Sequence, residues 1–317
     1  MNLRTFGVCF SLFFLVAACG KSSGTPKGDN KPNPSLLSFA TNQQEYPALK
    51  NQPGSSIPRQ DGYYGLIRVF SRHYLEGTNR KKQESKADYV VVGTGGVILI
   101  GQKYYVITAR HVILPNTQSR SIKMSDKSDP VEFDRISFVQ SQILVGSLGI
   151  QPNEIIVSQD RDVAILALAD QDDGLIASTY SKDRDAPVSL TSVSTIENIS
   201  GMRGEVWGFP AHHDPQIERV LVSASTSRSI TLNRALLGGY SGGPVFLLRE
   251  RGGRKEFAGI VIRADDKANQ STVLPEASLA PFFECLKTGR HAVGVSYMKI
   301  GNEISVGNVN YRYLSYY

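Results

Sequence analysis

The sequence predicts an all-β domain, a barrel or a sandwich, in the part of the chain that begins near residue 62. Short runs rich in Val, Ile, Tyr and Phe recur along it, and turn-forming Gly, Pro, Asn and Asp residues separate them. A short C-terminal helix is expected at 275–286, with a kink or a restart at Pro281, because proline disrupts a helix interior. Its apolar side chains fall at i, i+3, i+4 and i+7: Leu279, Phe282, Phe283 and Leu286.

The predicted strands cover much of the chain between residues 65 and 262. The Gly-Thr-Gly-Gly run at 93–96 separates two of them and is expected to form a bend. No helical pattern follows this run, which excludes a dinucleotide-binding loop. Residues 76–86 are polar and basic and are expected to form a loop. The runs assigned to strands are 65–70, 89–92, 97–100, 104–107, 135–139, 143–145, 154–157, 163–168, 188–190, 205–208, 220–225, 244–248 and 257–262.

The first residues have the pattern of an export signal. Arg4 precedes an apolar run at 6–16 that is too short to span the roughly 30 Å core of a bilayer as a helix. The run ends in Val-Ala-Ala-Cys-Gly at 16–20, which resembles the lipobox of bacterial lipoproteins, where cleavage precedes a cysteine that carries the lipid. We therefore expect a signal peptide at 1–18 and lipidation of Cys19. The alternative is an ordinary secretory signal cut at an A-x-A-like site.

Residues 19–61 are expected to form a flexible tether, because they are rich in Gly, Ser, Pro, Asn and Lys and poor in apolar residues. The predicted localisation is the bacterial cell envelope, with the exported protein held to a membrane through Cys19. Gly20, and not Asp, follows that cysteine. In enteric bacteria this choice directs a lipoprotein to the outer membrane, which is the membrane predicted here.

Cysteine content and charge narrow the class of protein further. Cys9 leaves with the signal peptide and Cys19 carries the lipid, so Cys285 has no partner for an intramolecular disulfide. The net charge of +6 is modest and scattered, and no basic helix with interleaved aromatic residues occurs, so nucleic-acid binding is not expected.

One domain is predicted at 62–288, followed by a C-terminal extension at 289–317 that is expected to pack on it as a hairpin.

Ser241 lies in Gly-Tyr-Ser-Gly-Gly at 239–243, which satisfies the G-x-S-x-G pattern of the α/β-hydrolase nucleophile elbow. That fold requires the order Ser, acid, His, which only Asp265 or Asp266 and then His291 can supply. An elbow serine opens a helix, whereas two glycines, a proline and a strand-like run follow Ser241. The elbow is therefore rejected.

The opposite order, His then Asp then Ser, has specific sequence surroundings. A β-like run leads into Thr-Ala-Arg-His at 108–111, and Asp162 precedes the apolar run at 163–168, while Asp160 is the alternative acid. The intervals are 51 residues from His111 to Asp162 and 79 residues on to Ser241. These segments resemble those of trypsin-like (chymotrypsin-fold) serine peptidases, especially the disulfide-free bacterial kind, over about residues 62–288. The resemblance implies two six-stranded antiparallel β-barrels with the site in the cleft between them.

The resemblance also implies the roles of the site residues. Ser241 is the nucleophile, His111 the general base and then acid, and Asp162 the group that orients the imidazole. The backbone N–H groups of Gly239 and Ser241 form the oxyanion hole. Protein or peptide substrates follow from this, and neither a cofactor nor a metal is expected. The His-His-Asp run at 212–214 has no third ligand at suitable spacing and is assigned to a surface turn.

Two departures from the family pattern bear on activation and specificity. Tyr240 stands where activated proteases have an Asp that pairs with a new N-terminus, so the oxyanion loop must be ordered by other contacts or by a partner. Ala235 lies at the base of the implied primary pocket, which favours small or medium uncharged residues over Lys and Arg. Arg234 and Arg263 are either near the mouth of that pocket, where they favour acidic side chains, or solvated surface residues.

Three functions remain open at this point. The first is a lipid-anchored serine endopeptidase. The second is a catalytically silent lipoprotein of the same fold that binds protein ligands. The third is an esterase that uses the same His-Asp-Ser set on a different acyl group.

Overall fold

The computed structural model describes residues 62–101, 103–114, 121–122, 129–146, 149–158, 161–168, 199–210, 213–248, 255–288, 297–300 and 303–307. The predicted signal peptide and tether, the strand predicted at 188–190, and the residues Cys19, Asp160, His212 and His291 lie outside them. The strands are β1 (Gly62–Thr78), β2 (Glu84–Ile100), β3 (Lys103–Thr108), β4 (Ser121–Ile122), β5 (Val131–Glu132), β6 (Arg135–Val145), β7 (Glu154–Ser158), β8 (Ala164–Ala167), β9 (Arg203–Gly208), β10 (Gln216–Ser225), β11 (Ile230–Leu232), β12 (Pro244–Leu248), β13 (Lys255–Asp265), β14 (Gln270–Pro275), β15 (Tyr297–Ile300) and β16 (Glu303–Gly307). The helices are α1 (Arg110–Ile113) and α2 (Glu276–Thr288).

The C-terminal half is a closed six-stranded antiparallel barrel in the order β10-β11-β14-β13-β12-β9, which β9 closes by pairing with β10. The N-terminal half is an eight-stranded antiparallel sheet in the order β15-β7-β8-β3-β2-β1-β6-β16. In the described residues this half is a half-barrel that does not close, whereas a closed six-stranded barrel was expected. The two outer strands of the sheet come from the C-terminal extension and pair with β7 and with β6. The predicted all-β, chymotrypsin-like fold class with a short C-terminal helix is confirmed.

The bend expected at 93–96 is wrong, because β2 continues straight through these residues in register with β1. The glycines are required by close packing. A Cβ atom on Gly95 would lie 2.4 Å from Cγ1 of Val106, and one on Gly93 would lie 2.6 Å from the side chain of Val112. The run therefore lets neighbouring elements approach β2 closely instead of turning the chain.

The helix α2 runs through Pro281 as one 13-residue element, so the helix does not restart there, and the kink stays a prediction. Proline removes a backbone donor there, at a cost of about 3 kcal/mol or more in a helix interior. Burial offsets this cost. Leu279, Phe282 and Phe283 are all less than a tenth exposed and pack in one cluster with Phe257 and Leu274 of the barrel.

The two halves share an aromatic contact that fixes their relative position. The ring of Tyr63 on β1 lies 5.0 Å from that of Phe246 on β12 and 6.2 Å from that of Trp207 on β9, measured between centroids. All three side chains are buried in the same cluster. Aromatic pairs at such separations add stability beyond their buried area. This contact therefore joins β1 of the N-terminal half to β9 and β12 of the barrel.

Candidate active site

His111 and Asp162 form a two-point contact. The Nδ1 atom of His111 lies 2.7 Å from Oδ2 of Asp162, and the backbone N–H of His111 donates to Oδ1 at 2.9 Å. Their side chains are 29% and 12% exposed, so the imidazole reaches solvent while the carboxylate is largely covered. An ionised carboxylate only accepts hydrogen bonds, so Nδ1 carries the proton and Nε2 of the neutral ring is left as a base.

The segment that carries Asp162 is held by two arginines. Arg110, which precedes His111 and is only 4% exposed, donates from Nη1 to the carbonyl oxygen of Ser158 at 2.8 Å. Arg161 donates from its backbone to Oγ of Ser158 at 3.1 Å and from its guanidinium to the carbonyl oxygen of Ser278 in α2. These bonds attach the acid-bearing loop to the start of α1 on one side and to α2 on the other.

Ser241 lies in the loop between β11 and β12, where it is held against the N-terminal half. Its carbonyl oxygen accepts the backbone N–H of Thr94 at 2.8 Å, and the following Gly242 donates to the carbonyl oxygen of Val261 at 2.8 Å. Gly242 has φ +83°, and a Cβ there would lie 2.2 Å from the carbonyl oxygen of Thr94 and 2.3 Å from Oγ1 of Thr108. Only glycine fits at this position.

These contacts bring the Ser241 loop beside the segment that carries His111. Thr108 ends the strand that leads to His111, and a Cβ on Gly93 would lie within 2.9 Å of both the Val112 side chain and the Ser241 carbonyl oxygen. Among the described residues, hydrogen bonds join His111 to Asp162, and none joins the Ser241 hydroxyl to the imidazole. In proteases without substrate this last bond is often long and tightens only in the reacting complex.

The structure also describes the residues predicted for the oxyanion hole and the specificity pocket. Gly239 has φ +99°, a conformation that glycine adopts without strain. Ala235 is partly buried, and its backbone N–H donates to Oδ1 of Asn269 at 3.1 Å. Arg263 is exposed on β13, and Arg234 is paired with Glu218 at 2.5 Å. Arg234 is therefore an exposed residue whose charge is paired with that of Glu218.

Tyr240 is buried and serves as an apolar anchor for the loop. It is 1% exposed and packs in the core of the closed barrel with Val206 and Val245. A Cβ on Gly208 would lie 2.5 Å from the Tyr240 ring, so glycine is required beneath it. Burial, with a smaller contribution from Glu218, raises the pKa of Tyr240 to about 12. This position therefore carries no ion pair, and packing of an uncharged ring takes its place.

The N-terminal sheet contains a second His–Ser pair. Sequence reasoning did not find this pair. The Nδ1 atom of His73 on β1 lies 2.7 Å from Oγ of Ser141 on β6, and both residues are fully buried. The ring of His73 also lies 5.2 Å from that of Tyr89. A substrate cannot reach this pair, so it is part of the core and is not a second active site.

Acidification should destabilise the protein through His73. Burial lowers the pKa of His73 to about 3, against 6.5 for an ordinary histidine. As pH falls from 6.5 towards 3, the unfolded chain binds a proton that the folded chain does not, so stability is lost over that window. At pH 5 the loss is about 2 kcal/mol relative to pH above 7. Denaturant titrations at pH 7.5 and pH 5, followed by Trp207 fluorescence, should show this loss in the free energy of unfolding.

The matched variant for this measurement is His73→Asn, which retains a hydrogen-bonding group near Ser141 but does not titrate. Its free energy of unfolding should fall less than that of the wild type between the two pH values, by about the same 2 kcal/mol. Identical pH dependence in the two proteins would show that His73 does not titrate with a lowered pKa.

The described residues hold no group of three or more His, Cys, Asp and Glu side chains arranged to bind a metal ion. His213 instead lies in a turn, where its backbone N–H donates to the carbonyl oxygen of Pro210 at 2.8 Å and its own carbonyl oxygen accepts from Arg68 at 2.7 Å. In the part of the chain that the structure covers, no helix has the length and apolar character needed to cross a bilayer.

Several solved structures are similar to this chain. A protease from M. tuberculosis in its active form is 16% identical, with a TM-score of 0.41, over 75% of this chain and 84% of its own. A serine endoprotease from Yersinia pestis is 14% identical, with a TM-score of 0.38, over 72% and 65% of the two chains. A thermostable serine protease from an extremophilic microorganism is 12% identical, with a TM-score of 0.40, over 69% and 97%.

No curated protein sequence matches the chain. Residues 93–252, about half of the chain, match the trypsin-like peptidase domain family. The matched range includes the glycine run of β2, the Thr-Ala-Arg-His segment, Asp162 and the Ser241 loop. The chain belongs to the trypsin-like peptidase domain family.

Proposed function

We propose that this protein is a serine endopeptidase in which His111, Asp162 and Ser241 form the catalytic triad. The observation that carries the proposal is the two-point contact between His111 and Asp162, which fixes the imidazole with Nε2 as its free base. The packing of the Ser241 loop against Thr94 and Thr108 supports it, because Thr108 ends the strand that leads to His111. Membership of the peptidase family points to protein or peptide substrates.

In the proposed reaction, Nε2 of His111 takes the Ser241 hydroxyl proton as Oγ attacks the scissile carbonyl. Asp162 stabilises the imidazolium that forms. The backbone N–H groups of Gly239 and Ser241 donate to the oxyanion, which develops only in the tetrahedral intermediate. His111 then protonates the leaving amine, and a water molecule hydrolyses the acyl-enzyme by the same steps in reverse order.

One experiment separates the endopeptidase from its two alternatives. The purified protein is incubated with an unfolded protein such as reduced casein and, separately, with an activated acyl ester. An endopeptidase produces internal cleavages in casein, an esterase hydrolyses only the ester, and a silent binding protein does neither. Absence of casein cleavage by folded protein would contradict the proposal, since an unfolded chain presents many sequences to the cleft.

The cleavage sites in the same digest report the side-chain preference. We propose a preference for small or medium uncharged residues before the cut, because Ala235 supplies no carboxylate and Arg234 is already paired with Glu218. Leu237, two residues before Gly239 and 66% exposed, adds an apolar surface near the cleft. Mass spectrometry of the peptides should therefore show few cuts after Lys or Arg. A strong preference for either residue would refute this assignment.

We further propose that the protein is exported and anchored to the bacterial envelope through lipid on Cys19, most simply in the outer membrane. The lipobox-like segment at 16–20 and the polar tether that follows it support this proposal. Each buried CH₂ group contributes about 0.8 kcal/mol, so two or three acyl chains hold a protein almost irreversibly. A tether of about 40 residues has a root-mean-square reach of roughly 35 Å, which lets the cleft sample the space near the membrane.

Replacing the proposed lipid acceptor tests the anchor. Cys19→Ser should move the protein from the membrane fraction to the soluble fraction or leave its precursor uncleaved, because serine offers no thiol for lipidation. Cell fractionation followed by intact-mass measurement checks both outcomes. Cys9→Ser is the matched control, since it changes a cysteine in the apolar run and should leave anchoring unchanged. A Cys19→Ser protein that is fully processed and still membrane-bound would rule out the lipid anchor.

A further inference from the structure

Thr94 joins the N-terminal sheet to the nucleophile loop at several points. Its hydroxyl donates to the carbonyl oxygen of Gly239 at 2.6 Å and accepts the backbone N–H of Phe209 at 3.0 Å. Its own N–H donates to the carbonyl oxygen of Ser241 at 2.8 Å. The residue is fully buried in β2, and its carbonyl oxygen accepts from the Thr108 hydroxyl at 2.8 Å.

The direction of the hydroxyl proton is determined by this arrangement. The Phe209 N–H is a donor and occupies a lone pair of Oγ1, so the single hydroxyl proton is left for the carbonyl of Gly239. The bond therefore fixes where that carbonyl points. Since peptide units are planar, fixing the carbonyl of Gly239 also fixes the plane of the bond between Gly239 and Tyr240.

The segment before Ser241 needs such an external contact, because its own backbone is permissive. Gly238 and Gly239 are consecutive glycines, and Gly239 lies at φ +99°. A Cβ on Gly238 would meet nothing within 4 Å, so packing does not confine that residue. Glycine has little torsional preference, and the peptide between these two residues can rotate at low cost. That peptide carries the Gly239 N–H, one of the two proposed oxyanion donors, and the Thr94 bond anchors its downstream end, at the carbonyl of Gly239.

We propose that Thr94 is a positioning residue that holds the loop bearing both proposed oxyanion donors, because it anchors the carbonyl oxygens of Gly239 and Ser241. This inference rests on the proposed function and extends it, since it names the contact that prepares the site without an activating ion pair at Tyr240. Thr94 and the buried Tyr240 ring hold two consecutive residues of the loop in place. The hydroxyl fixes the carbonyl of Gly239, and the ring fixes the next residue in the barrel core.

The test compares Thr94→Val, which is nearly isosteric but lacks the hydroxyl, with Thr94→Ser, which retains it. Thr94→Val should lower kcat for a chromogenic peptide by about 10- to 100-fold with little change in KM, because oxyanion donors act in the transition state. Thr94→Ser should stay close to wild type. The rate of labelling by a fluorophosphonate should follow kcat in both variants. A thermal melt confirms that each variant is folded, and Thr94→Ala replaces Thr94→Val if the latter is insoluble.

Amide hydrogen exchange provides a readout that does not depend on activity. Peptides covering residues 236–243 should exchange faster in Thr94→Val than in the wild type, whereas those from β6, two strands away from β2 in the N-terminal sheet, should not change. Folded Thr94→Val with wild-type kcat and wild-type exchange in 236–243 would overturn the proposal. If the wild type itself fails to cleave peptides or to label, the endopeptidase assignment fails, and exchange in 236–243 alone then decides whether Thr94 positions the loop.

Discussion

Ser241→Ala and His111→Ala should each reduce kcat for peptide hydrolysis by about 10⁶-fold, the loss expected when either of two residues that act as a unit is removed. Without Ser241 there is no nucleophile to form the acyl-enzyme. Without His111 the hydroxyl keeps its proton and the leaving amine is not protonated. Because both variants stop the same step, Ser241→Ala combined with His111→Ala should be no slower than either alone. Initial rates on a quenched-fluorescence peptide measure all three.

The second His–Ser pair supplies the matched controls for this experiment. Ser141→Ala and His73→Asn change the same residue types in the same chain, but in the buried pair of the N-terminal sheet. Both should keep the wild-type kcat at neutral pH, even where they lower the melting temperature. A loss of activity confined to the His73–Ser141 pair, with Ser241→Ala unaffected, would move the catalytic site away from the cleft proposed here.

Asp162→Asn should reduce kcat by about 10⁴-fold while leaving the fold intact. The carboxylate accepts both the ring Nδ1–H and the backbone N–H of His111, at 2.7 and 2.9 Å. An amide at this position presents an NH₂ group to one of them, which favours the imidazole tautomer with its proton on Nε2. The ring then lacks a free base towards Ser241 and loses the charge that stabilises the imidazolium.

Asp160→Asn is the control for this variant, because Asp160 is the alternative acid two residues earlier in the sequence. It should leave kcat unchanged. Wild-type kcat in Asp162→Asn, or a large loss in Asp160→Asn, would contradict the assignment of the orienting carboxylate. Circular dichroism and melting temperature confirm that the comparison is between folded proteins.

Strands with strong apolar patterns were predictable from sequence, and those defined by their partners were not. The strand at 244–248 has the predicted bounds, because it is apolar throughout and its first four residues are buried. The strand β11 has only three residues, and β14 begins with polar Gln270, so neither has a recognisable pattern of its own. Residues 76–86, expected to form a loop, instead belong largely to a hairpin in which β1 and β2 stay paired as far as Thr78 and Glu84.

In the candidate site, too, residues with a sequence pattern of their own were predictable, and residues defined by their contacts were not. The segments around His111 and Asp162 were predictable, because each has a short pattern and the two occur in a fixed order. The contact between them, at 2.7 Å, lies within the described residues. Thr94 was not predictable, because a threonine within a glycine run has no visible role until β2 is packed against the loop at 238–243. Likewise, Tyr240 could be recognised as a departure from the family pattern, but its burial in the barrel could not.

The most direct test of the central claim is covalent labelling of the purified wild-type protein with a fluorophosphonate, followed by mapping of the adduct. Only a serine activated by a neighbouring base reacts at an appreciable rate. The proposed triad predicts one stoichiometric adduct on Ser241 in the wild type, and none in Ser241→Ala or His111→Ala. Folded wild-type protein that does not label, or an adduct that persists unchanged in Ser241→Ala, would contradict it.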